Sequence, residues 1–196
     1  MKNRLAAVAA IALAATITLA GCASGDEQTS ATPTPNPPAA TATAFNDADV
    51  MFTSIMIEHH AQAIEVSDVI LAKDDVNPRV SDLAQTIKDA QAPEIEQLQG
   101  WLDEWGVAPG DHNRGDMGHG DGMMTAEDLA ALEAADGPEA SKLFLEQMIV
   151  HHEGAVDMAK EQIDNGQHAE AIDLAHPITD AQTTEIQTMR DILTTL

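Results

Sequence analysis

The chain has 196 residues, with 9 Lys and Arg against 33 Asp and Glu, a formal net charge of −24. A surface this acidic excludes nucleic acid and anionic headgroups as partners held by charge, and favours cations. With one cysteine, no Tyr, three Phe and two Trp, the composition excludes an internal disulfide, and its abundance of Ala, Leu, Glu, Asp and Gln fits an all-α domain.

Met1-Lys2-Asn3-Arg4 precedes an apolar run from Leu5 to Ala20. This is the basic start and short apolar stretch of a secretion signal, too short and too poorly flanked for a stable membrane span. The run ends in Leu19-Ala20-Gly21-Cys22, which resembles the lipobox of bacterial lipoproteins. That resemblance implies cleavage before Cys22 and lipidation of its thiol. The expectation is a leader at 1–21 and a mature chain anchored by lipid in the cell envelope, on the extracytoplasmic side of a membrane. Lipidation consumes the one thiol, so a soft metal site must use Met and His. Residues 22–44 hold Thr32-Pro33-Thr34-Pro35-Asn36-Pro37-Pro38, an extended tether that cannot build a core. The folded part is then 45–196.

The first predicted helix carries Phe52, Met56, His59, Ala63, Val66 and Ile70 within about 40° of one line at 100° per residue. His60 falls at the flank of this stripe, beside Ile64. A turn follows near Asp74-Asp75-Val76-Asn77-Pro78. The second helix carries Leu83, Ile87, Ala90, Leu98 and Trp101, and Gln91 and Glu94 lie in the same stripe. Residues 106–124 read as an exposed loop of Gly and Asp that holds Met117, His119, Met123 and Met124, with His112 near its start. Methionine has no packing reason to cluster in such a loop, so these four residues form a candidate site for Cu(I) or Ag(I). A plain linker with incidental ligands is the alternative. Thr125-Ala-Glu-Asp128 reads as the capping box of a short helix over 125–135.

Gly137-Pro138 opens the next helix. Its stripe is Phe144, Met148, His151, Ala155 and Met158, with His152 at the flank. After Asn165-Gly166 the last helix carries Leu174, Ile178, Ala181, Met189 and Ile192, again with polar members, Gln182 and Glu185. The two halves, 45–105 and 138–196, are an internal duplication. Phe52–Glu65 aligns with Phe144–Asp157 at an offset of 92, and Asp82–Leu102 with Asp173–Leu193 at an offset of 91. Two tandem helical hairpins predict a four-helix bundle.

Counting from the turns places the polar core. His59 is 17 residues before Val76 and Glu94 is 18 after it; His151 and Glu185 are each 17 from His168. At equal rise per residue, two His, two Glu and two Gln converge inside the bundle. The expected partner of Glu94 is His59. Buried polar groups must be paired, and two readings follow. One is a structural network of Glu94, Glu185, Gln91 and Gln182 with the histidines that sets register. The other is an interior metal site with imidazole and carboxylate ligands. The residues three before each histidine are Met56, Ile57, Met148 and Ile149 rather than Glu, which argues against a ferritin-type di-iron oxidase. Met56 and Met148 share a helix face with the histidines that follow them and can chelate beside them, or simply fill the core.

The doubled Met56-Ile-Glu-His59-His60 and Met148-Ile-Val-His151-His152, with Gln91-x-x-Glu94-Ile95 and Gln182-x-x-Glu185-Ile186, resemble the family catalogued as domain of unknown function 305. The resemblance covers nearly all of Asp47 to Leu196. It implies a ferritin-like four-helix bundle in secreted or envelope proteins, some of them implicated in copper and silver binding through Met and His. Carried over, it marks Met56, His59, His60, Met148, His151 and His152. Val66 stands where the second repeat has Met158, and the chain is less Met-rich than a dedicated copper store.

The leading expectation is a non-enzymatic, lipid-anchored protein that captures copper-type soft ions, with the metal ion as its partner. One alternative is an envelope interaction module with a structural His/Glu core, its protein partner unspecified. The other is a metalloenzyme at the interior cluster, for which no nucleophile–base pair, nucleotide loop or haem motif speaks.

Overall fold

The computed structural model describes residues 44–108 and 122–196. The leader, the tether and Cys22 lie outside the described residues, as do His112, Met117 and His119. Five helices follow in order: α1 (Asp47–Leu71), α2 (Pro78–Trp105), α3 (Ala126–Ala134), α4 (Gly137–Asn165) and α5 (Ala169–Leu193). The described residues contain no strand. The protein is an all-α bundle built from two tandem hairpins, α1–α2 and α4–α5, joined through an α1–α4 interface.

Each helix starts where a side chain satisfies its first free N–H groups. Asn46 and Asp49 cap each other reciprocally at α1, and Thr125 and Asp128 do so at α3. Asn77 and Asp136 cap α2 and α4, each followed within two residues by a proline that needs no N–H partner there. At α5 the cap is a histidine: His168 Nδ1 accepts the N–H of Ala171 at 3.2 Å. Gly106 closes α2 in the left-handed region, φ 68°, which a glycine adopts without a steric penalty.

The hairpins meet head to tail, and the two ends of the contact are built alike. At one end Asp49 of α1 accepts hydrogen bonds from Gln162 Nε2 at 2.6 Å and from the N–H groups of Gln167 and His168 at 3.1 Å. At the other, Ser141 of α4 accepts the N–H of Asn77 at 3.0 Å. Asp49 and Ser141 are equivalent positions of the repeat, as are His168 and Asn77. Each hairpin thus anchors the first helix of its partner at its own turn. Gly137 lies so close to the α1–α2 turn that a β-carbon on it would stand 2.2 Å from the Asp74 carbonyl oxygen.

The apolar stripes close into two buried clusters. One joins Val66, Ile70, Leu83 and Ile87 to Phe144, Met148, Met189 and Ile192; the other joins Phe52, Met56, Leu98 and Trp101 to Ala155, Ala175 and Ile178. The short α3 buries Leu132 on the first cluster. Its last carbonyls are met by Lys73, whose Nζ donates to Glu133 O at 2.8 Å and Ala135 O at 2.9 Å.

Candidate metal centre

Consecutive histidines on a helix point about 100° apart, so a His-His pair addresses two neighbours at once. His59 of α1 and His151 of α4 face each other across the α1–α4 interface, ring centroids 3.6 Å apart and tilted by 34°. His60 turns the other way, toward α2, and its Nε2 lies 2.7 Å from Glu94 Oε2. His152 turns toward α5, with Nε2 2.7 Å from Glu185 Oε2. All four imidazoles are fully buried. His151 and His152 stand with ring centroids 6.1 Å apart.

This corrects the expected pairing. Glu94 bonds His60, the flank residue, and not His59, because the stripe centre of α1 faces α4 while its flank faces α2. The carboxylates also stand nearer the surface than the middle of an apolar stripe implies. The side chain of Glu94 is 24% exposed and that of Glu185 15%. Gln91 and Gln182 are buried as expected, each with an Oε1 that meets no donor.

Among the described residues, several buried nitrogens in this layer lack a hydrogen-bond partner. Nδ1 of His60 and Nδ1 of His152 have none, and neither ring nitrogen of His151 makes a well-formed hydrogen bond. Burial holds the His151 imidazole well below the usual histidine pKa, and the nearby His59, His152 and His60 push it the same way, offset only in part by the His59 backbone. His151 is therefore a neutral imidazole, the form in which histidine binds metal. The donor set fits a soft ion to that extent: the neutral imidazole of His151 beside three further buried histidines, thioethers in adjoining layers and, among the described residues, no thiolate. Among the described residues no three His, Cys, Asp or Glu side chains stand together at ligating distance. A closed site needs the thioethers or a rotation of the stacked rings, whose faces rather than lone pairs meet.

Met56 and Met148 are fully buried, one in each apolar cluster. They flank the histidine layer on its two sides and pack as core residues. The end of the interhelical loop departs from the reading of an exposed segment. Met124 is only 7% exposed and belongs to the apolar cluster that holds Val66, Phe144 and Met148. Its backbone is gripped by one side chain: Gln62 Nε2 donates to Met124 O at 3.0 Å, and Met124 N donates to Gln62 Oε1 at 2.7 Å. Gly122, at φ 77°, passes so close to α4 that a β-carbon would meet the Val150 oxygen at 2.4 Å. The loop thus returns onto the helix that carries His151, and Met124 has a packing role there. Met123, beside it, is half-buried.

Asp49 and His168 escaped the sequence reading. The signal that could have found Asp49 is its equivalence with Ser141 in the repeat, since both sit at the contact between the hairpins.

The profile of the family described as Domain of unknown function (DUF305) matches residues 49–193. No curated protein matches the chain. A DUF305 fragment from Deinococcus radiodurans is similar at 31% identity and TM-score 0.70, over 77% of this chain and 98% of that one. A Streptomyces coelicolor DUF305 protein that carries a secreted designation is 32% identical with TM-score 0.69, over 75% of this chain and 91% of its own. CopM in its Cu(I)-bound form is 29% identical with TM-score 0.62, over 75% of this chain and 96% of that one; CopM is also known with Ag and with Cu(II) bound.

Proposed function

This chain belongs to the family described as Domain of unknown function (DUF305), and from that premise we propose that it is a lipid-anchored, extracytoplasmic protein that captures copper-type soft ions through Met and His. The observation that carries the reading is the layer of four buried imidazoles from α1 and α4, with unpartnered nitrogens on His60, His151 and His152. Buried polar atoms without partners are costly, about 1–3 kcal/mol each, and a bound ion removes that cost. The likeness to CopM, known with Cu(I) bound, supports the choice of ion, and the absence of any usable thiol in the mature domain leaves Met and His as its soft ligands.

Within this reading the ligands are His59, His60, His151 and His152, with Met56 and Met148 closing the layer from either side. Met117, His119 and Met123 are the ligands of a second, acquisition site that hands ions on to the histidines. Glu94 and Glu185 supply negative charge beside an incoming cation. The leader, Cys22 and the tether place the domain outside the cytoplasm, in keeping with the secreted designation of the Streptomyces relative. No described helix is long and apolar enough to cross a membrane, so in this reading attachment falls to the lipid.

A Cu(I) titration against a competing chelator tests it. Wild type is compared with Met56→Leu/Met148→Leu and with a loop variant in which Met117, His119 and Met123 are replaced. High-affinity binding kept in the loop variant and reduced at least tenfold in the helix variant is the expected result. Binding lost only in the loop variant moves the site to the loop and makes the bundle a scaffold. No binding by wild type overturns the reading in favour of a structural polar core.

A further inference from the structure

In each flanking histidine the bonded nitrogen determines what the other nitrogen offers. His60 and His152 each place Nε2 2.7 Å from a glutamate oxygen, while Nδ1 of each is buried without a hydrogen-bond partner. If the carboxyl held the shared proton, the neutral ring would carry its own proton on Nδ1. A doubly protonated ring would carry one there too. Both arrangements leave an N–H buried with no acceptor, the less tolerated kind of orphan. With the proton on Nε2 and the carboxylate accepting, Nδ1 keeps only an in-plane lone pair.

We propose that Glu94 and Glu185 are positioning residues that lock His60 and His152 as Nε2–H imidazoles, so that their two buried Nδ1 lone pairs are the ligand atoms offered to a monovalent soft ion such as Cu(I) or Ag(I). The proposal rests on the metal-binding reading above and names its ligand atoms and tautomers. A carboxylate behind an imidazole fixes the ring's orientation and raises its basicity toward a metal. The same 2.7 Å contact recurs at equivalent positions of both repeats, although the helices around it differ: Glu58 and Gln62 of α1 correspond to Val150 and Gly154 of α4. Each carboxylate keeps one edge in water while its imidazole is fully buried, so the charge stays solvated and the lone pair stays dry. Each half-site also has a thioether one helical turn back, Met56 before His60 and Met148 before His152, at a spacing that shares a helix face. The chain therefore carries two like half-sites, one per hairpin.

Long-range proton–nitrogen NMR of the full chain with labelled histidine, at pH 7, distinguishes the two ring nitrogens. Before metal, His60 and His152 are both expected as Nε2–H tautomers. Addition of Ag(I), which is diamagnetic, is expected to shift both Nδ1 resonances and leave both Nε2 protons in place. In Glu94→Gln, whose neutral amide is a weaker acceptor for the Nε2 proton than a carboxylate, the Nε2–H form of His60 is expected to be held less firmly and Ag(I) affinity to fall roughly 10–100-fold, with His152 unchanged. An Nδ1–H form of either histidine in the wild-type apo spectrum overturns the proposal, and this needs no variant to fold. Ag(I) binding with unmoved Nδ1 resonances overturns it and leaves the metal-binding reading standing. Unchanged Ag(I) affinity in Glu94→Gln overturns the positioning role, and no Ag(I) binding at all overturns both.

Discussion

His151 is buried against a second imidazole with two more close by, and that crowding decides its charge. Burial and the neighbouring His59, His152 and His60 hold its pKa well below the ordinary histidine value of 6.5. The folded protein keeps it neutral while the unfolded chain takes up a proton as pH falls through 6.5. Its stabilising effect is therefore complete above that value and is lost as pH falls below it, at up to about 1.4 kcal/mol per pH unit for one proton. Urea unfolding at pH 7.5 and at pH 5.5 should show this loss, and His151→Gln should flatten it. An equal slope in the variant would mean that folded His151 accepts the proton. The position of His151 on the inner stripe was legible from helical periodicity alone. That its ring would stack on His59 was not, because periodicity gives the direction of a side chain from its own axis and not the rotation of the facing helix.

Among the elements, the α3 capping box and the Pro-initiated α2 and α4 follow from local chemistry and stand where the residues put them. The start of α4 depends on more than its own residues. A β-carbon on Gly137 would meet the Asp74 oxygen at 2.2 Å and Asp75 backbone atoms at 2.5 Å and 2.6 Å, none of which can rotate away. Gly137→Ala should cost about 1–3 kcal/mol as overpacking, read as a lower urea midpoint with unchanged helical circular dichroism. Gly100→Ala is the control. It adds its methyl to open space in mid-α2 and should gain up to about 1 kcal/mol from helix propensity. A Gly137→Ala variant as stable as wild type would show that the hairpin contact gives way cheaply. The loop end was misjudged at this same scale. Composition marks 106–124 as exposed, yet Met124 is core, because Gln62 on a helix 62 residues away satisfies both polar groups of its backbone.

Across the whole molecule, the hairpins are held in register by two equivalent ties, of which the Asp49 tie has a carboxylate as its acceptor. Burial raises its pKa, but hydrogen bonds from Gln162 and from the Asn46, His168 and Gln167 backbones outweigh that and leave it below 3.8. A depressed carboxyl stabilises the fold above the unfolded value and loses that contribution as pH falls below it. The stability of wild type should therefore drop between pH 4 and pH 2.5, and Asp49→Asn should remove that acid limb. At neutral pH the same substitution should cost about 1–3 kcal/mol, since it weakens bonds to several buried donors. Thermal unfolding across this range measures both; an unaltered acid limb in Asp49→Asn would exclude the tie as its source.

The helices, the α3 capping box, the duplication and the inward direction of His59 and His151 were set by the sequence alone, since each follows from spacing within one segment. Height along the hairpin was legible too, and it brought Glu94 and Glu185 to the histidine layer. Only the tertiary structure decided that Glu94 meets His60 rather than His59, that His59 and His151 stack, that Met124 leaves the loop for the core, and that Asp49 ties α1 to a turn 119 residues on. A helical period records which face of a helix is apolar. The partner of each residue on that face depends on how helices distant in the chain rotate and slide to pack, and that is a property of the closed bundle.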